Sequence, residues 1–218
     1  MLFRSTPPET IPTAGFAYHG ITPGKYLLTQ PGVILHYLRL ALWPAPLVFD
    51  YEWPPVAGLA AALPALVPVL AVLTAAVLGF RRYPLASFLT LVFFMILVPS
   101  SSVIPLKDLA FEHRMYLPLA CVMIGAVLGG RRVLAGWIAR PVWRRAVSVF
   151  LVAAVAGVYG KMTFQRNLVY HSPLAMWRDV VTLRPDNSRA NNKYGRFMHH
   201  TGRAEEAMYF YRRAIRLK

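Results

Sequence analysis

The densest chemistry in the sequence lies between residues 97 and 118 (LVPSSSVIPLKDLAFEHRMYLP), where Glu112, His113, Arg114 and Tyr116 follow one another. Arginine presents a planar fork that matches phosphate oxygens, so Arg114, with His113 beside it, is suited to hold a phosphate at a membrane surface. Glu112 is placed to orient Arg114 or to accept from a ligand hydroxyl, and Tyr116 suits an interfacial anchor. Upstream, Thr29 and Gln30 precede Tyr37 and Arg39 and add hydrogen-bonding groups for a ligand or for a loop backbone. A plainer alternative is that Glu112, His113 and Arg114 cap a helix beginning near Met115. Ser100–Ser102 read as satisfiers of backbone around Pro99 within a bundle, not as nucleophiles. Cys121, the one cysteine, sits in an apolar run and reads as a small buried hydrophobe. It rules out an internal disulfide and a Cys-rich metal site. No phosphate-binding glycine loop, zinc-ligand spacing or GxSxG is present. His199 and His200 read as surface residues of a tail helix.

Such residues must be positioned by elements built for a bilayer. Of 218 residues, 56% are hydrophobic and only 15% charged, yet the net charge is +15. A soluble domain carries about 25% charged residues, and disorder needs low hydrophobicity. A nucleic-acid binder spreads basic charge over a polar surface, so nucleic acid is excluded as a partner. Stretches with few or no charges at 55–80, 85–105, 115–130 and 146–160 predict four spans, the third extending to Leu134 and the fourth to Phe164 with snorkelling side chains. A fifth stretch, 32–49, contains His36, Arg39, Pro44 and Pro46. It reads as an interfacial helix or one entering the membrane partway, with Tyr37, Trp43 and Trp53 at headgroup level.

Loops 81–82 and 131–145 hold seven arginines, whereas loop 106–114 balances Lys107 and Arg114 with Asp108 and Glu112. The positive-inside rule places the arginine loops in the cytoplasm. Loop 106–114, residues 50–54 and the tail from 165 then lie on the periplasmic or luminal side. The tail is basic (11 Lys/Arg against 4 Asp/Glu), but folded segments translocate largely regardless of charge. Its helices are expected at 174–183, 190–200 and 204–217. The arrangement predicts an all-α protein: an extramembrane loop 1–30, a transmembrane bundle 31–164 of four spans plus the interfacial or partial helix, and the tail 165–218.

The tail resembles a tetratricopeptide repeat. Gly195 fits the close-contact glycine of a first helix, Tyr194 the bulky place before it, Ala207 the small residue of a second helix, and Tyr211 and Ala214 the positions that follow. Trp177, Val180 and Pro185 match the end of a preceding unit. Asn191 departs from the frequent Trp, and no closing Pro is present. Such a unit cannot cover its apolar face alone, so it needs further repeats, the membrane domain or a protein partner.

Together with PSSS (99–102), EHRMYLP (112–118) and Thr29–Gln30, the chain from Tyr26 to Lys218 resembles polytopic membrane proteins with C-terminal tetratricopeptide repeats. These are related to the transmembrane and tetratricopeptide-repeat containing O-mannosyltransferases, which use polyprenyl-phosphate sugars. The resemblance implies transfer of a mannose-type sugar from a polyprenyl phosphate to a protein acceptor recruited by the repeats. Gln30, Glu112, His113, Arg114 and Tyr116 would contact the lipid-linked sugar. In that class the catalytic and metal-binding acids lie in a first outside loop near the N-terminus. Glu9, Asp50 and Glu52 match no such pair. No general base carries over, any divalent metal would come only through an absent N-terminal half, and no other cofactor is implied. The expected reading is therefore a C-terminal portion of such a protein, integral to the membrane, with its own catalysis left open. The alternative is a non-catalytic, membrane-anchored repeat adaptor. In either, Asp50 and Glu52 are expected to be structural, near Trp53.

Overall fold

The structure is a computed structural model and describes residues 21–102 and 104–218, so the expected loop 1–30 falls outside the described residues as far as residue 20. The described residues are 75% helical and contain no strand. The helices are α1 (Pro23–Leu42), α2 (Leu59–Leu78), α3 (Pro84–Leu97), α4 (Tyr116–Trp137), α5 (Pro141–Tyr170), α6 (Pro173–Leu183), α7 (Ser188–His200) and α8 (Ala204–Arg216). A 3-10 turn, Glu112–Met115, leads into α4.

Among the described residues, three helices are long and apolar enough to cross a membrane: α2, the 3-10 turn continued into α4, and α5. Their surfaces show the environment they require. Leu63, Val67, Leu70, Ile124, Val149, Phe150 and Val155 are exposed, and α5 buries no residue at all. Continuous apolar surface on this scale is untenable in water and ordinary in lipid.

The stretch expected as a span at 85–105 forms a helix only over Pro84–Leu97, 14 residues. At 1.5 Å per residue that is about 21 Å, short of the roughly 30 Å of hydrocarbon. Pro99 has no N–H to continue the ladder. The amides of Ser100 and Ser101 instead donate to the Leu97 carbonyl at 3.1 and 2.8 Å, closing the end as a turn. The basic loop expected at 131–145 is mostly helix. Arg131 and Arg132 belong to α4, Arg144 and Arg145 to α5, and only 138–140 join them. Arginine is a good helix former, and its charge alone does not end a helix. Likewise α5 runs unbroken through 164–165 to Tyr170, about 45 Å in all.

The stretch 32–49 is helical only to Leu42, within a helix that begins at Pro23 after the Thr22 cap. α1 is the most deeply packed element. Tyr26, Thr29, Gln30, Val33, Ile34, Tyr37 and Leu40 are all buried. Its polar groups bond to the connecting loops: Tyr26 Oη donates to the Ser100 carbonyl (2.5 Å), and Thr29 Oγ1 accepts from the Val56 amide (3.1 Å). At its C-terminus, Tyr159 Oη of α5 donates to the free Leu42 carbonyl at 2.7 Å.

One core joins the membrane helices to the tail. Val33, Tyr37, Val48, Tyr51, Leu97 and Met115 are continuous with Trp177, Val180 and Ala190. Trp177 meets the Phe49 ring edge-on at 5.6 Å. The tail helices begin where caps place them: Ser172 accepts from the Ala175 amide, and Asn187 from the Ala190 amide at 2.6 Å. α7 and α8 pack as a hairpin whose closest approach is at Gly195. A Cβ there would lie 3.2 Å from both the Ala207 carbonyl and the Tyr211 ring. Gly202, at φ +80°, makes the turn between them.

Candidate functional site

The connections 43–58 and 98–115 gather with the start of α7 at one end of the helices, and ionic contacts fasten them. Arg189 Nη1 lies 2.7 Å from Asp108 and 3.2 Å from Asp50. Glu52 receives the Ser188 hydroxyl at 2.7 Å and the Arg189 amide at 3.3 Å. Asn187 Nδ2 donates to the Asp50 carbonyl at 2.9 Å. Asp50 and Glu52 thus both bond the start of α7. Burial raises the Asp50 carboxyl above its ordinary value, and Arg189 offsets only part of that shift.

The five candidate ligand residues separate into two groups. Arg114 is committed to the chain. Its Nη2 donates to the Asp108 carbonyl (2.7 Å), and its Nη1 faces the Leu109 carbonyl (3.1 Å), with the Ser100 carbonyl and Tyr26 hydroxyl at 3.4 Å. It braces loop 98–111 against α1. Gln30 is 1% exposed, and neither side-chain amide atom has a hydrogen-bond partner among the described residues. His113 is exposed, stacked at 4.9 Å on Phe111. Thr29 bonds the Lys25 carbonyl and the Val56 amide, Tyr37 Oη accepts from the Phe111 amide at 2.6 Å, and Arg39 is exposed.

Glu112 and Tyr116, by contrast, share the wall of a cleft of about 340 Å³. Glu112 Oε1 accepts from the Val48 amide (2.7 Å) and the Tyr51 hydroxyl (2.6 Å), which fixes the carboxylate at the cleft edge. Burial, and then the charge of Glu112, raise the Tyr51 phenol, so it remains a donor at all ordinary pH. Tyr37, Leu40, Ala41, Pro44, Leu47, Met115 and Leu119 complete this wall.

The opposite wall is one face of α5: Tyr159, Thr163, Arg166, Asn167 and Tyr170. Their spacing (i, i+4, i+7, i+8, i+11) puts a polar stripe on the last turns of an otherwise apolar helix. Arg166 Nη1 pairs with Asp179 of α6 at 2.5 Å, and its guanidinium lies 5.0 Å from the centre of the Tyr170 ring. Its Nε and Nη2 are buried and have no partner among the described residues. Sequence reasoning passed over this stripe. The available signal was polar residues at helical spacing directly after the last apolar run.

Among the described residues no three His, Cys, Asp or Glu side chains converge as a metal ligand set would. No family model matches the chain, and neither a curated protein nor a solved structure does.

Proposed function

We propose that the chain is part of a membrane glycosyltransferase-like protein and seats a polyprenyl-phosphate sugar of mannose type in the cleft between α1 and α5. The single observation that supports this is that Glu112 and Tyr116 line one cleft with the half-buried Arg166, beside apolar side chains. In this reading α3, continued by the turn after it, is the fourth crossing. The tail is a tetratricopeptide-repeat segment that recruits the protein acceptor, and it lies on the periplasmic or luminal side. The clasp around Arg189 supports this arrangement, because it holds the tail helices at the same end as the cleft. Gln30, His113 and Arg114 shape the surrounding loops, and Glu112 accepts from a sugar hydroxyl. The test is binding of polyprenyl-phosphate mannose to the full chain in nanodiscs. Retention that falls on Tyr116→Ala, and that exceeds retention of the sugar-free polyprenyl phosphate, supports the reading. No binding, or no effect of the sugar, overturns it.

The adaptor reading keeps one observation of its own. The outer face of α8 exposes Met208, Tyr209 and Ile215 beside Arg212 and Arg216.

A further inference from the structure

We propose that the cleft is a site for a lipid phosphodiester whose headgroup carries hydroxyls, with Arg166 holding the phosphate. The inference relies on the preceding section only for which lipid is bound; the site itself stands on the cleft's own chemistry.

Arg166 has one donor nitrogen paired and two enclosed and unmet. Nη1 is spent on Asp179, while Nε and Nη2 are buried with no partner among the described residues. Those two nitrogens form the side edge of the guanidinium, whose parallel N–H bonds match two oxygens of one phosphate. A buried charged donor pair is costly to leave unmet, so the position suits a bound anion. The side chain itself is 13% exposed, and it is held from behind by Asp179 and from below by the Tyr170 ring. This is a fixed fork rather than a free surface arginine.

The depth of the site points to a lipid. The apolar run of α5 begins at Ala146, twenty residues before Arg166. At 1.5 Å per residue that is about 30 Å, the thickness of the hydrocarbon. Arg166 therefore stands at headgroup level. Leu40, Leu47, Met115 and Leu119 floor the cleft and suit a chain rising from the bilayer.

The charge balance selects the class of phosphate. Asp179 already neutralises one unit on Arg166, and Glu112 lines the same cleft. A phosphomonoester brings up to two negative charges and meets two carboxylates. A phosphodiester brings one, and its substituent can offer a hydroxyl to Glu112. Bare monoesters are disfavoured by like charge, whereas hydroxylated diesters gain a hydrogen bond.

The experiment uses the full chain in phosphatidylcholine nanodiscs, with lipid retention read by native mass spectrometry. The probes are polyprenyl-phosphate mannose and phosphatidylglycerol (diesters), phosphatidic acid (monoester) and inorganic phosphate. We expect at least one diester to be retained and phosphatidic acid to bind about tenfold more weakly or worse. Arg166→Lys keeps a cation for Asp179 but removes the fork. It should cost about tenfold or more in diester binding while thermal unfolding shifts little. Glu112→Gln can still accept from Val48 and Tyr51 and should raise monoester binding. Equal binding by wild type and Arg166→Lys, or a monoester bound as well as the diesters, would overturn the proposal. Inorganic phosphate binding as tightly as the lipids would overturn the lipid assignment. Retention of phosphatidylglycerol alone sustains the site and counts against the sugar-donor reading.

Discussion

At the scale of single residues, two acidic side chains are structural in opposite ways. Glu112 is an acceptor on which Val48 and Tyr51 depend. Glu112→Ala leaves an amide and a phenol unpaired, and we expect it to destabilise the detergent-solubilised protein by about 1–3 kcal/mol. Glu112→Gln should cost clearly less, since one amide oxygen accepts both bonds. Thermal unfolding of the pair measures the difference, and equal losses would contradict the role assigned to Oε1. Asp50 is different, because burial raises its carboxyl in spite of Arg189. A group whose folded pKa is raised binds its proton more tightly folded than unfolded. Its contribution to stability is therefore greatest in acid and is lost as pH rises through the folded value. As pH rises from about 4, the ordinary carboxyl value, through the raised folded value, the wild type should lose stability relative to Asp50→Asn. A difference that stays flat, or that grows the other way, would show that the Arg189 attraction outweighs the burial cost.

At the scale of elements, what the sequence made legible and what it hid follow one physical division. The tail helices were readable because their ends are local. Ser172 and Asn187 cap neighbours three residues on, and the small residues Gly195 and Ala207 mark a close crossing. The cores of α2, α4 and α5 were readable because lipid demands long uncharged runs. The end of α3 was not, because the chain 98–102 is uncharged and stops by closing a turn on Leu97. The burial of α1 was hidden as well, since its partners Ser100, Phe111 and Tyr159 are more than seventy positions away. Glu112 and Tyr116, which line the cleft, stand out in the sequence by their setting. Arg166 was not: one cation after an apolar run marks a membrane edge, and its partner Asp179 lies across a helix junction. The crossing at Gly195 gives the test at this scale. In Gly195→Ala the new methyl would meet the Ala207 carbonyl, a backbone atom, at 3.2 Å. Overpacking of this kind costs about 1–3 kcal/mol. Hydrogen exchange should rise across α7 and α8 and leave α2 and α4 unchanged. Unaltered protection in the hairpin would mean that the two helices shift apart freely.

At the scale of the whole molecule, the chain is an apolar helical body with one end sealed by its own tail. Arg189, set between Asp50 and Asp108, ties the first long connection, the loop before α4 and the start of α7 into one polar plate. The cleft opens beside that plate, between the buried α1 and the lipid-exposed α5. Such an arrangement requires positions 113 and 200 to share one side of the membrane and position 136 to face the other. Single cysteines at His113, His200 and Gly136, with Cys121 replaced, test this by impermeant labelling in sealed vesicles. Labelling of 113 together with 136 from one side would break the topology.

The account turns on the cleft as the seat of a lipid-linked sugar, and photo-crosslinking reaches that claim most directly. A photoreactive polyprenyl-phosphate mannose is presented to the full chain in nanodiscs, and the labelled peptides are mapped. The account predicts adducts on the α5 face between Tyr159 and Tyr170 and on the wall from Glu112 to Leu119, displaced by the unlabelled sugar-lipid and diminished in Arg166→Lys. Adducts spread along the lipid-facing surfaces of α2 and α4 and unaffected by competitor would contradict it.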